Sequence, residues 1–274
     1  MLAINSLLFV PGSRPERFEK ARAGGAGLTV IDLEDAVAPG DKETARKAAF
    51  EAIAHDAAGY ALRINPLDTA FGIEDIAALL GAKTRPETIL LPMVEEARDV
   101  EIVAHVLGDA CPTVIPLIET PRGLRHALEI ARVERVGAVM FGGGDFASEL
   151  GVKLGWEPLL AARQALILAC AEACKPAIDV PFIHLDDAQG LAAECARAKA
   201  LGFGAKAAIH PRQVATIEDA FVPSESEVNE AKEALQAYEQ GGERAIRHKG
   251  RMLEAPMVKN YRAVVARSRG NADA

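Results

Sequence analysis

The segment TVIPLIETPRGL, Thr113 to Leu124, decides how the chain is read. From Val114 to Ile118 it is apolar apart from one proline, the composition of a strand buried on both faces. It then runs straight into Glu119 and a Thr-Pro-Arg-Gly turn. A carboxylate at the end of a core strand is costly unless something uses it. The pattern recurs in VGAVMFGGGDFASELG, Val136 to Gly151, where an apolar run ends in three glycines and Asp145.

Working outward, eight apolar runs alternate with helical patterns. They are SLLFVPG, LTVIDLEDA, YALRIN, TILLPMV, TVIPLIE, VGAVMFGGGD, AIDVPFIH and FGAKAAIHP. The first is followed by a helix opened by Pro15, and Gly108 closes the helix after the fourth. Further helices are expected over Asp41 to Asp56, Ile73 to Leu80, Gly123 to Arg132 and Asp187 to Leu201, with PLLAARQALILACAEAC in a long insertion after the sixth run. Eight strands each followed by helix spell an α/β fold, a (β/α)8 TIM barrel over residues 1–220, its strands apolar on both faces. Near Phe221 the pattern changes. Ser224 and Glu227 stand at capping-box spacing before a polar amphipathic helix with no strand after it, and a final helix begins at about Pro256. Residues 221–274 are expected to form a helical lid and oligomerisation arm.

Composition bounds the function. The chain has 274 residues, half hydrophobic and a quarter charged, ample for a sizeable core and unlike a disordered segment. A net charge of −8 argues against general nucleic-acid binding. No apolar run reaches the ~18 residues of a membrane span, and the N-terminus lacks the layout of a signal peptide, so a cytoplasmic location is expected. None of the four cysteines forms a C-x-x-C pair. Cys170 and Cys174, in an apolar helical run, are expected in the core, and His55, His105 and His126 on helix surfaces.

In this architecture functional groups gather at the C-terminal ends of the strands. The second strand supplies Asp32, Glu34 and Asp35, the third Arg63 and Asn65, the fifth Glu119, the sixth Asp145, and the eighth His210. Neighbouring strands lie about 4.8 Å apart, so Glu119 and Asp145 at one level can grip a single cation. Two carboxylates with no nearby cysteine favour Mg2+ or Mn2+ over zinc. The glycines Gly142, Gly143 and Gly144 let a ligand carboxylate approach backbone N–H groups beside Asp145. Plainer readings stand beside these. Glu119 and Asp145 also suit helix caps or partners of Arg122, Arg63 a structural partner of Asp32 or Asp35, and His210 a hydrogen-bonded rim residue.

The motifs LLFVPGSRPERFEKA, VIDLEDAVAPGDKETAR, LRINPLDT, LIETPRGL, FGGGDFASELG and AIHPRQV follow one another in an order that resembles the citrate lyase β-subunit-like branch of the HpcH/HpaI aldolase family. That branch includes malyl-CoA and citramalyl-CoA lyases. The resemblance implies Mg2+ on Glu119 and Asp145, with Arg63 stabilising an enolate oxygen. It implies that Asp32, Glu34 and Asp35 line the site, and that CoA lies near the end of the first strand, where Arg14, Arg17, Lys20 and Arg22 form a basic cluster. Where many relatives carry an aspartate in a segment like G-x-M-I-D-x-P, reaching a neighbouring subunit's site, this chain reads GRMLEAP and places Glu254. The expected protein is a homo-oligomer, a trimer, that cleaves a 3-hydroxyacyl-CoA of the malyl-CoA or citramalyl-CoA type to acetyl-CoA and a 2-oxo acid. Alternatives are a citrate lyase β subunit, a CoA-independent aldolase, a CoA-ester thioesterase, and a non-catalytic metabolite-binding protein.

Overall fold

The computed structural model describes residues 4–242 and 244–270. Eight parallel strands close into a barrel in chain order: β1 (Ser6–Pro11), β2 (Leu28–Asp32), β3 (Ala61–Arg63), β4 (Thr88–Leu91), β5 (Thr113–Ile118), β6 (Val139–Phe141), β7 (Ala177–Asp179) and β8 (Ala205–Ala208). Inward residues such as Leu7, Val30, Leu90, Ile115, Met140 and Ile178 pack into the barrel core. Their neighbours Leu8, Ile31, Leu62 and Ile89 are equally buried, which is why the strands read as unbroken apolar runs. The expected TIM barrel is thus the observed one. Among the described residues no helix is long and apolar enough to cross a membrane.

The barrel strands are not wholly apolar, as the sequence reading had them. Asp179 on β7 and Lys206 on β8 are register partners and fully buried. Lys206 Nζ donates to Asp179 Oδ2 at 2.6 Å, to the Val180 carbonyl at 2.6 Å and to Glu194 Oε1 at 2.8 Å. Arg163, from the helix Trp156–Glu172, donates Nε to Asp179 Oδ1 at 2.9 Å, and its guanidinium lies over the Trp156 ring. Two cations and two carboxylates neutralise one another, so the charges can be dry.

Other expectations change locally. The helix expected over Gly123 to Arg132 is two short helices, Pro121–Arg125 and Ala127–Arg132. His126 sits between them, half-buried rather than on the surface, with Nδ1 2.8 Å from the Glu95 carbonyl. Cys170 is in the core, but Cys174 lies beyond its helix, exposed and left-handed at φ 55°.

The chain divides into two units, Met1–Glu218 and Asp219–Ala274. In the second, the capping box of Ser224 and Glu227 opens the helix Glu225–Gln240. A hairpin follows, β9 (Ile246–His248) paired antiparallel with β10 (Arg251–Leu253), where the sequence reading placed no strand. Lys249 and Gly250 both take positive φ, 44° and 81°, as a tight two-residue hairpin turn demands. The helix Ala255–Gly270 then packs with Leu253, Ala234 and Tyr238 in a small core of its own.

Removing one partner of a buried ion network leaves an uncompensated charge. Lys206→Met is therefore expected to cost roughly 3–5 kcal/mol of unfolding free energy in urea titrations. A loss below about 1 kcal/mol would show that the network contributes little.

Candidate active site

Asp32 and Arg63 end β2 and β3 as register partners. Side by side, their side chains form a two-pronged pair, Arg63 Nε to Asp32 Oδ1 and Nη2 to Oδ2, both at 2.7 Å. Asp32 also accepts the backbone N–H of Glu34 at 2.9 Å and of Ala36 at 3.3 Å, so the acidic loop after β2 is wound around its carboxylate. The structural pairing of Arg63 that the sequence left open is thus present. Burial works against the Arg63 charge, but Asp32, then Glu34 and Asp35, outweigh it and raise its pKa. Asp35 is largely exposed, 3.7 Å from Arg63 Nη1.

Glu34 is buried. Its Oε2 lies 2.5 Å from Arg63 Nη1, yet off the hydrogen-bonding direction, so this oxygen has no hydrogen-bond partner. Desolvation pushes its pKa up to about 8 against the pull of Arg63, with Glu119, Asp35 and Asp32 adding to the rise.

Glu119 stands one residue past β5 and is 3% exposed. Its Oε2 accepts the Met93 N–H at 2.7 Å. Desolvation drives its pKa up to about 7, opposed by that N–H and reinforced by Asp145. Extending the β5–β6 register by one residue puts Gly142 opposite Glu119. A Cβ on Gly142 would come within 2.2 Å of Glu119 Cγ and 2.5 Å of Oε1, so only glycine leaves room for the carboxylate. Asp145 is not at a strand end, as expected, but in the first turn of the helix Gly143–Glu149. Its pKa is raised by desolvation and by Asp35, against Arg63.

Asp32, Asp35, Arg63, Glu119, Gly144 and Asp145 line one cavity of about 400 Å³ at the C-terminal end of the barrel. Phe9, whose ring lies under the Arg63 guanidinium, Leu117, Met140 and Val180 form its apolar walls. A larger cavity of about 720 Å³ lies wholly within the C-terminal unit, but most of its lining groups are exposed, among them Glu225, Glu230 and Arg251. The chemistry is concentrated in the smaller one.

Several expected residues are placed elsewhere. Gly143 packs under the cavity, where a Cβ would meet Phe141 and Val180 at 3.1 Å. Asn65 turns into a buried support layer, with its N–H and Nδ2 on Asp75 at 2.8 and 2.7 Å. His210 caps its own turn, Nδ1 accepting the Arg212 N–H at 3.2 Å, and is not among the residues lining the cavity. Arg14, Arg17, Lys20 and Arg22 are exposed on the segment after β1, with Arg17 facing Glu16 at 3.8 Å and Arg22 paired with Asp56. Glu254 is exposed immediately before the helix Ala255–Gly270. Lys42 was not foreseen. It donates Nζ to the carbonyls of Leu33 and Glu34, both at 2.7 Å, and to Asn65 Oδ1 at 2.6 Å, pinning the acidic loop from below. Only its place in the motif VIDLEDAVAPGDKETAR could have pointed to it.

Among the described residues, no group of three or more His, Cys, Asp or Glu could hold a metal by itself. Glu119 and Asp145 nevertheless offer hard oxygen donors beside a glycine cradle, and the charge of Asp145 bears on Glu119. A pair of carboxylates with its remaining positions open to water and substrate fits Mg2+, which keeps several waters.

A family model described as HpcH/HpaI aldolase/citrate lyase matches residues 5–211. The chain is 36% identical to an L-malyl-CoA/beta-methylmalyl-CoA lyase of Cereibacter sphaeroides, covering 94% of this chain and 92% of that protein. It is 33% identical to a (3S)-malyl-CoA thioesterase of the same species, covering 96% and 92%. Among solved structures, RipC from Yersinia pestis superposes with a TM-score of 0.75 at 40% identity, over 83% of this chain and 99% of RipC. CitE from Mycobacterium tuberculosis, in complex with magnesium, acetoacetate and coenzyme A, superposes with a TM-score of 0.85 at 30% identity, over 98% of this chain and all of the other.

Glu34 supplies a pH test. Its folded-state pKa of about 8 lies above the ordinary 4.5, so the folded chain holds a proton that the unfolded chain releases. The stability linked to that proton is full below pH 4.5 and is lost as pH rises through 8. In metal-free protein the Tm is expected to fall from pH 5 to pH 8, and Glu34→Gln to make that fall shallower. Calorimetric scans with the same slope for both proteins would remove Glu34 as the source.

Proposed function

The chain belongs to the HpcH/HpaI aldolase/citrate lyase family, and we propose that it is a carbon–carbon lyase that cleaves a 3-hydroxyacyl-CoA of the malyl-CoA or citramalyl-CoA type to acetyl-CoA and a 2-oxo acid. The observation that carries this reading is the meeting of Glu119, Asp145 and Arg63 in one cavity. Glu119 and Asp145 hold the metal. Bound there, Mg2+ would act as Lewis acid and template for the carboxylate and adjacent oxygen of the 2-oxo-acid half. Asp32 commits Arg63 Nε and Nη2, which fixes the plane of the guanidinium, and Nη1 faces Glu34 Oε2 at 2.5 Å on the acidic loop. Arg63 offsets the charge that develops on the thioester enolate oxygen as the carbon–carbon bond breaks. Glu34 and Asp35 border the reacting centre and order its water. Arg14, Arg17 and Lys20 take the CoA phosphates.

A second reading, thioester hydrolysis, is favoured by the likeness to the malyl-CoA thioesterase. Incubating a panel of hydroxyacyl-CoA esters with Mg2+ and identifying products by mass spectrometry separates the two. Cleavage yields acetyl-CoA and a 2-oxo acid, with Glu119→Gln and Asp145→Asn inactive. Hydrolysis yields free CoA and an intact hydroxy acid, and would displace the lyase reading.

The proton at the enolate carbon is assigned to Glu254 of a neighbouring subunit in a homo-oligomer, a trimer. The support is its exposed position in GRMLEAP, within a unit separate from the barrel. Inactive Glu254→Gln and Asp145→Asn subunits, refolded together, are expected to regain activity, because some mixed sites have both residues intact. No recovery in verified mixed oligomers, or full activity of Glu254→Gln alone, would exclude this role.

A further inference from the structure

The β4–helix loop contains a backbone conformation that packing does not explain. Met93 has φ 53°, in the left-handed region that a side-chain-bearing residue rarely adopts. Its side chain is 37% exposed, so burial of the thioether is not what holds it there. Such a conformation persists only where its surroundings over-determine it.

Here they do. The Val94 N–H donates to the Leu117 carbonyl at 3.3 Å. Thr120 Oγ1 donates to Glu95 Oε1 at 2.9 Å, and His126 Nδ1–H to the Glu95 carbonyl at 2.8 Å. Arg122 pairs with Glu96 and stands 3.4 Å from Glu95. Gly123 lies so close that a Cβ there would be 2.4 Å from the Val94 carbonyl oxygen. Every one of these braces comes from residues 117–126, the strand and turn that carry Glu119. The loop is bolted to that segment on both sides of the carboxylate. What its unusual turn delivers is the Met93 N–H, 2.7 Å from Glu119 Oε2. The other oxygen, Oε1, is the one on the Gly142 side.

We propose that the loop from Pro92 to Glu96 is a positioning clamp for Glu119, in which the left-handed Met93 backbone binds Oε2 and thereby presents Oε1 to the cation. Met93 is a positioning residue that acts through its N–H, so its side chain is replaceable and its φ is not. The inference rests on the metal reading given above.

The test is Mn2+ binding to the full chain without substrate, followed by electron paramagnetic resonance of the free ion. Met93→Gly permits positive φ and keeps the N–H, and Met93→Ile keeps the N–H but resists positive φ. Wild type and Met93→Gly are expected to bind alike. Met93→Ile is expected to bind at least about tenfold more weakly, the order set by one charge-assisted hydrogen bond. Equal affinities for the glycine and isoleucine variants, whether both strong or both weak, would overturn the clamp. Should Met93→Ile fail to fold, Gly123→Ala serves instead, since it pushes on the Val94 carbonyl. Unchanged Mn2+ affinity in that variant would also overturn the clamp. Wild-type affinity in Glu119→Gln would overturn the metal reading itself, a failure distinct from that of the clamp.

Discussion

The Asp32–Arg63 pair is the interaction on which the barrel mouth depends. It joins two strands at their ends, in register, through two parallel hydrogen bonds of 2.7 Å. The guanidinium so fixed stands among Asp32, Glu34, Asp35, Glu119 and Asp145, and its charge lowers the pKa of Glu34, Glu119 and Asp145. It does not balance them. All three remain raised, chiefly because burial strips water from the carboxylates, with neighbouring carboxylates adding to the rise. The mouth carries surplus negative charge in a place where water is scarce. That condition favours a divalent cation, and it ties the acid-rich loop after β2 to the carboxylates of β5 and the helix after β6.

Much of this was legible in the sequence, and the rest was hidden for identifiable reasons. The eight strands could be read because parallel barrel strands are buried on both faces, leaving unbroken apolar runs between helical patterns. Glu119 announced itself by interrupting such a run. Asp145 was found by the same logic but set one level too low, since three glycines do not say where strand ends and helix starts. Lys42 escaped because a lysine opening a helix is ordinary on a surface, and only the fold brings the Leu33, Glu34 and Asn65 oxygens around it. Met93 acts through a backbone N–H, and no side-chain pattern records that. The Asp179–Lys206 pairing depends on strand register, which sequence spacing does not supply. The hairpin after the helix Glu225–Gln240 has strands of three residues, too polar and too short for alternation to show.

The closed barrel has a consequence for how the molecule comes into being. β1 pairs with β2 on one side and with β8 on the other, so Leu7 finds its second partner, Ala207, only when nearly the whole barrel has been made. During synthesis from the N-terminus, the first strand therefore waits with an unpaired edge, the kind of edge that recruits foreign strands. Contacts so distant along the chain are slow to form. The cavity draws on Phe9 from β1 and Ile209 just beyond β8, so it does not exist in any state where that seam is open. A chain short of its eighth strand consequently has an open sheet edge and no assembled cavity.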